Sequence, residues 1–192
     1  MFLKNLSLSK KLILTFCTIM AGCFLASVVV FVQAYTAKTA LIDQDRAQRI
    51  VTLVDAAKTA MAEQAANERG YLLFGSESTL AAVTTERQAL DAAITEARTL
   101  AAGDSALLAR LDAMRAAAQT YATEVADPQI AARKAGQTSL EEIATIGAAG
   151  ATGALDAFRA AAADIKTALA AETAATRARV DGAHFALEMA LV

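Results

Sequence analysis

The sequence predicts an all-α protein: an N-terminal transmembrane helix continuing into an antiparallel four-helix bundle. Three observations carry this. An uncharged apolar run, Leu12–Val32, stands near the start of the chain. Hydrophobic residues make up 56% of the sequence and aromatics only 5%, with one proline and no tryptophan, because alanine supplies most of the apolar count. That composition favours helices packed through small side chains over sheet. Finally, four apolar stripes recur at three-and-four spacing between breaks marked by glycine, serine and aspartate.

The first element is the span. A helix rises 1.5 Å per residue, so Leu12–Val32 can cross a hydrocarbon core of about 30 Å. Lys4, Lys10 and Lys11 precede it; Asp43 and Asp45 follow. Positive residues stay on the cytoplasmic side, which places the N-terminus inside and the chain beyond Tyr35 outside. Phe31 and Tyr35 suit the outer interface. The alternative is a cleaved signal peptide, for which Val32-Gln33-Ala34 resembles a cleavage site. The apolar run is longer than a signal h-region, and the anchor is the preferred reading. Cys17 and Cys23 both lie in this span, too far apart on one helix to bridge each other. They are packing residues or partners across a dimer. Beyond the span there is no cysteine, so packing rather than disulfides must hold that region.

The first stripe of the bundle is Ile50, Val54, Ala57, Met61, Ala65, Glu68 and Leu72. The second is Val83, Leu90, Ile94, Ala97 and Ala101, with a gap at Arg87. The third is Leu107, Leu111, Met114, Ala118, Tyr121 and Val125, and the fourth is Leu155, Phe158, Ala162, Ile165 and Leu169. Four such helices bury their stripes against one another. Gly75-Ser76 closes the first. Gly103-Asp104-Ser105 closes the second, and Asp104 or Ser105 caps the third. Asp127-Pro128 reads as an N-cap followed by proline at the first helical position, so the third segment kinks or restarts there. Gly136 ends that piece, and Ser139 with Glu142 has capping-box spacing for the next helix. Gly147, Gly150 and Gly153 each cost roughly 1 kcal/mol in a helix. They mark either a mobile stretch or a close approach of two backbones.

The side chains that carry chemistry are sparse. His184 is the only histidine, at the expected membrane interface. No clustered Asp-x-Asp loop suggests calcium, no glycine-rich loop follows a strand, and no base stands ready for a nucleophile beyond the span. The expectation is a protein that is not an enzyme, with no metal and no cofactor. A net charge of −2 and the absence of a basic run exclude a nucleic-acid partner.

One stretch departs from this plainness. Residues 66–75 read ANERGYLLFG, and Glu68 falls on the apolar stripe beside Arg69. A charge on a helix seam is costly unless paired. On the preferred reading the seam opens at the tip of the bundle, where Glu68 is solvated and Tyr71 fills the apex. On the other, Asn67, Glu68, Arg69 and Tyr71 are a polar tip that fixes the turn or receives a ligand.

Arg69-Gly70-Tyr71-Leu72-Leu73-Phe74-Gly75, with Glu77 and Leu80, resembles the signature of the CHASE3 extracellular sensor domain. Asp127-Pro128-Gln129-Ile130, with Arg133, resembles that family's second landmark, and Asp156 and Arg159 fall about where it has an acidic and a basic residue. The likeness covers roughly residues 40–175. It implies that Arg69, Gly70, Tyr71, Gly75, Asp127 and Pro128 are structural, and it names no ligand. Residues 6–22, LSLSKKLILTFCTIMAG, also resemble the first membrane segment of methyl-accepting chemotaxis proteins.

Together these resemblances imply a periplasmic bundle between two membrane helices, followed by a HAMP linker and a cytoplasmic output domain. The expected organisation is a cytoplasmic N-terminus (1–11), a transmembrane helix (12–34), a periplasmic sensor bundle (35–183) and the opening of a second transmembrane helix, cut short (184–192). The expected function is the input half of a bacterial chemoreceptor in the inner membrane. It would be a homodimer that answers an unknown small-molecule or protein ligand. The alternatives are the sensor region of a histidine kinase and a membrane-anchored scaffold.

Overall fold

The computed structural model describes residues 7–191, and side chains at all of these but 149 and 184–191. Every regular element among the described residues is a helix. They are α1 (Leu8–Phe74), α2 (Glu77–Leu100), α3 (Ser105–Tyr121), α4 (Asp127–Lys134), α5 (Leu140–Thr145) and α6 (Ala148–Leu191), with a π-turn at Ala122–Ala126 joining α3 to α4. The chain divides into two units. One is Asp45–Thr173; the other comprises residues up to Gln44 and from Ala174 onward.

In the second of these units, the start of α1 carries the apolar run. Its side chains, including Leu12, Phe16, Ile19, Phe24 and Phe31, are exposed on the protein surface. Among the described residues α1 is the one helix long and apolar enough to cross a membrane. Hydroxyls along the run are tied back into the helix: Thr15, Thr18 and Ser27 donate to the carbonyls of Lys11, Leu14 and Cys23 at 2.8–3.0 Å. This leaves no free donor to face hydrocarbon. Cys17 and Cys23 are free and exposed. The expected second span, 184–192, is helical in its backbone to Leu191, but its side chains lie outside the described residues, as does Lys4.

Asp45–Thr173 is a helical bundle whose four members are α1, α2, the α3–α4 segment and α6. The predicted stripes are the core. Ile50, Val54, Ala57, Met61 and Ala65 meet Leu90, Ile94, Ala97 and Ala101, and both pack on Leu107, Leu111, Met114 and Tyr121 and on Phe158, Ala162, Ile165 and Leu169. Leu155 is only half-buried, and Ala154 takes the interior place beside it. Ion pairs mark the neighbours around the bundle. Asp55 binds Lys166 at 3.0 Å across α1 and α6, Arg110 binds Asp164 at 2.7 Å across α3 and α6, and Arg115 binds Asp91 at 2.9 Å across α2 and α3. Exposed pairs of this kind contribute about 0–1 kcal/mol each, so apolar burial dominates stability.

The breaks fall where the punctuation placed them. α1 stops at Gly75, whose φ of 66° is the left-handed value that ends helices at glycine. Asp104 caps α3, its carboxylate accepting from Leu107 N at 2.9 Å. Asp104→Ala is expected to cost about 1 kcal/mol, measured by thermal unfolding of the whole chain. Ser139 caps α5 through Glu142 N at 3.3 Å, but that helix is only Leu140–Thr145. The fourth member of the bundle restarts after Gly147.

Asp127 corrects a prediction. It is not an N-cap: its backbone is helical, with φ −66° and ψ −42°, and its N–H donates to the Ala122 carbonyl five residues back. Proline at 128 has no N–H for the Glu124 carbonyl, and its ring would crowd that carbonyl in a straight α-helix. One extra residue per turn relieves the crowding, so the helix widens into a π-turn instead of stopping. The Asp127 side chain goes to Arg87 on α2, 2.6 Å away.

Gly147 decides the question its glycine cluster raised. With φ of 71°, it lies against the π-turn so closely that a Cβ would come within 2.5 Å of the Glu124 carbonyl oxygen. This is a close approach of two backbones. A Cβ at Gly150 would meet the Glu124 carboxylate at 3.4 Å, and Gly153 faces open space.

Candidate functional site

The apolar interior of the bundle is not continuous. A main core runs up to Ala65 on α1, begins again at Leu90 on α2, and ends at Ala126 on the third member. A separate distal cluster gathers Tyr71, Leu72, Val83, Ile130 and Ile143, with Leu80 and Ala132 against it. Between them lie Glu68, buried on α1, and Arg87, half-buried on α2, with the exposed Asp127 at the edge. The two clusters are therefore separated by a polar layer.

Glu68 is its centre. The side chain is 1% exposed and accepts a hydrogen bond from Tyr121 Oη at 2.6 Å. The expectation that Glu68 is solvated at an open tip is wrong, because Tyr71, Leu72 and the distal cluster close over it. Burial pushes its carboxyl above the ordinary range. The Tyr121 hydroxyl and the charges of Arg87 and Arg69 pull it back only in part, and the Asp127 carboxylate adds to the rise. Burial, together with the bond to Glu68, pushes the Tyr121 phenol up, so it stays a donor. One turn below, the Gln64 amide is buried and its nitrogen finds no hydrogen-bond partner; neither does Arg87 Nε. A half-satisfied polar layer costs more than an apolar one of the same shape.

The four residues of the expected polar tip do not assemble into one cluster. Glu68 and Tyr71 point inward, Asn67 is half-buried and Arg69 is exposed. The reason is helical phase: at 100° per residue, Arg69 lies on the far side from Asn67 and Tyr71. Tyr121 bonds to Glu68, and Arg87 is near enough for its charge to act on it. Periodicity assigns the first to the apolar stripe and the second to a gap. The signal that could have found the layer is that gap itself: two neighbouring stripes, those of α1 and α2, each carry one charge flanked by apolar residues.

The two sequence landmarks come together at the distal end. Gly75 abuts the Arg133 guanidinium, which a Cβ there would meet at 3.5 Å, and Arg133 donates to the Gln137 carbonyl. Gln129 donates to the Ile146 carbonyl at 2.7 Å, fastening α4 to the end of α5. Tyr71 and Ile130 share the distal cluster. Asp156 and Arg159 pair with each other on the exposed face of α6. Among the described residues no three His, Cys, Asp or Glu side chains are grouped to hold a metal ion.

A family model for the CHASE3 domain matches residues 40–179. The chain belongs to the CHASE3 family. CHASE3 is an extracellular sensor domain of signalling proteins, and the matched range takes in the whole bundle. With the membrane-grade stretch of α1, this makes the chain a membrane protein with a sensory role. No curated protein and no solved structure matches the chain. In this CHASE3 domain the landmark residues hold the distal end together, while the buried charge belongs to Glu68, just ahead of the first landmark.

Proposed function

We propose that this chain is the sensory input half of a bacterial transmembrane chemoreceptor, with its N-terminus in the cytoplasm and its CHASE3 bundle in the periplasm. It works as a homodimer in the inner membrane, without enzymatic activity of its own. The supporting observation is that one helix, Leu8–Phe74, carries both the apolar span and the first stripe of the CHASE3 core. A stimulus that repacks the bundle acts on the same helix that enters the membrane. Shifts of about 1–2 Å at helix interfaces are the usual amplitude of such signals. The alanine-rich seams suit this, since small side chains interlock shallowly. The likeness of residues 6–22 to the first membrane segment of chemotaxis receptors favours a chemotactic output.

Reading the gene past the codon for Val192 tests the output. A second apolar span, a short helical linker and a heptad-patterned region with methylation-type Glu/Gln pairs are expected. A phospho-accepting histidine with a nucleotide-binding domain in their place would make it a kinase sensor. A stop codon would leave the scaffold reading.

Orientation has its own test. Ser9→Cys and Ala102→Cys each put a thiol at an exposed position, on either side of the span. In intact spheroplasts a membrane-impermeant maleimide is expected to label the thiol at 102 and not the one at 9. Cys17 and Cys23 are shielded by lipid. The opposite pattern would overturn the orientation.

A further inference from the structure

The segment Asp127–Ile146 holds α4, α5 and their connection, and both its ends leave the core at one place. It begins at the π-turn and ends at Gly147, and these two irregular backbones lie against each other. Its inner face supplies Ile130 and Ile143 to the distal cluster, and its exposed first residue, Asp127, reaches Arg87 at the edge of the polar layer. A π-turn next to proline and a glycine at positive φ are both points where a backbone bends at little cost. The segment is therefore built as a flap hinged at both ends on one spot, packed on the distal cluster next to Glu68.

The buried carboxyl has no arginine of its own. Arg87, the inward arginine, is committed to the exposed Asp127 at 2.6 Å. The groups that face Glu68 are Tyr121 from α3, Arg87 from α2, Arg69 from its own helix and Asp127 from the flap. Arg69 and Asp127 are both exposed to solvent, which screens them. With Glu68 ionised, closing the flap buries an anion whose inward arginine is already paired with Asp127. With Glu68 protonated the layer is neutral, and Tyr121 still has a partner.

We propose that the polar layer is a proton-responsive joint, in which proton uptake by Glu68 closes the flap Asp127–Ile146 and proton loss opens it about the π-turn and Gly147. The direction follows from linkage: whichever state buries the carboxyl more deeply binds the proton more tightly. The charge change is at Glu68, and the two-state element is the doubly hinged flap. The stimulus it answers is acidity on the side of the membrane where the bundle lies. The joint is argued from the bundle's own geometry and stands whichever output follows.

Amide hydrogen exchange of the full chain in lipid nanodiscs tests it, with each rate corrected for its intrinsic pH dependence. In the native protein, protection of residues 127–146 relative to residues 50–65 is expected to rise about fivefold or more between pH 8 and pH 5. In Glu68→Gln, which holds the neutral form at both pH values without changing shape, the flap is expected to be protected throughout. Flat protection in the native protein would overturn the proposal, and that measurement needs no variant. An equal pH response in the native protein and in Glu68→Gln would overturn Glu68 as the sensor. The experiment reads no signalling, so its failure is separate from failure of the chemoreceptor reading.

Discussion

Gly147→Ala is expected to destabilise the bundle by about 3 kcal/mol or more, the largest effect of any single methyl group added to this chain. Two costs add. At φ of 71° a residue with a Cβ pays for the left-handed conformation, about 1–2 kcal/mol. The Cβ would also fall 2.5 Å from the Glu124 carbonyl oxygen and 2.9 Å from Val125 Cα. Both are backbone atoms, so nothing can swing aside, and the π-turn and the start of α6 must separate. Overpacking of this kind costs about 1–3 kcal/mol. Gly153→Ala is the matched control. It sits inside α6 with open space around it, and alanine there is expected to add up to about 1 kcal/mol of stability. Chemical denaturation of the whole chain in one lipid or detergent distinguishes them. Similar losses in both would show that the close approach at Gly147 does not matter.

Tyr121→Phe is expected to cost about 2 kcal/mol at neutral pH. The ring still fills its place, so what is removed is the hydroxyl that donates to Glu68. A buried carboxylate then loses its hydrogen bond, and bonds to charged groups contribute about 1.5–3 kcal/mol. The cost depends on pH, and its sign is fixed by Glu68. Its carboxyl in the folded chain lies above the unfolded value of 4.5. A group raised in this way contributes stability that is complete below 4.5 and is lost as pH rises through the folded value. Native stability should therefore fall with rising pH over that window. Glu68→Gln should remove the slope. In Tyr121→Phe the slope should be steeper, because a group that lowered the Glu68 carboxyl has gone. Thermal unfolding at a series of pH values checks all three. If Tyr121→Phe kept the native slope, the hydroxyl would not be coupled to the charge on Glu68.

Much of this fold was legible, and the reason is local. Three-and-four spacing found most of the large core residues from Ile50 to Leu169, because a helix seam repeats at the helix period, but it missed Ile130, Ile143 and alanines such as Ala93 and Ala154 beside the stripes. The turns at Gly75 and the cap at Asp104 were legible for a similar reason: each obeys a rule spanning a few residues. What failed was decided by partners distant in sequence. Asp127 before Pro128 satisfies every local condition for a cap, yet Arg87 draws its carboxylate away and the π-turn keeps its backbone helical. Glu68 was misplaced at an open tip because its partner, Tyr121, is 53 residues away on another helix. No window along the chain contains both. The same holds for Gly147 and Glu124. Their contact is a meeting of two bends, and only the spacing of the glycines hinted at it.

The alanine in the seams has a thermal consequence. Ala57, Ala97, Ala101, Ala126 and Ala162 are fully buried, where other bundles place leucine or isoleucine. Each removes little apolar surface from water, and it is newly wetted apolar surface that gives unfolding its large heat capacity. A small heat-capacity change makes the curve of free energy against temperature shallow and broad. A bundle built this way keeps nearly level stability as its surroundings warm and cool. Changes in its packing then report chemistry rather than weather.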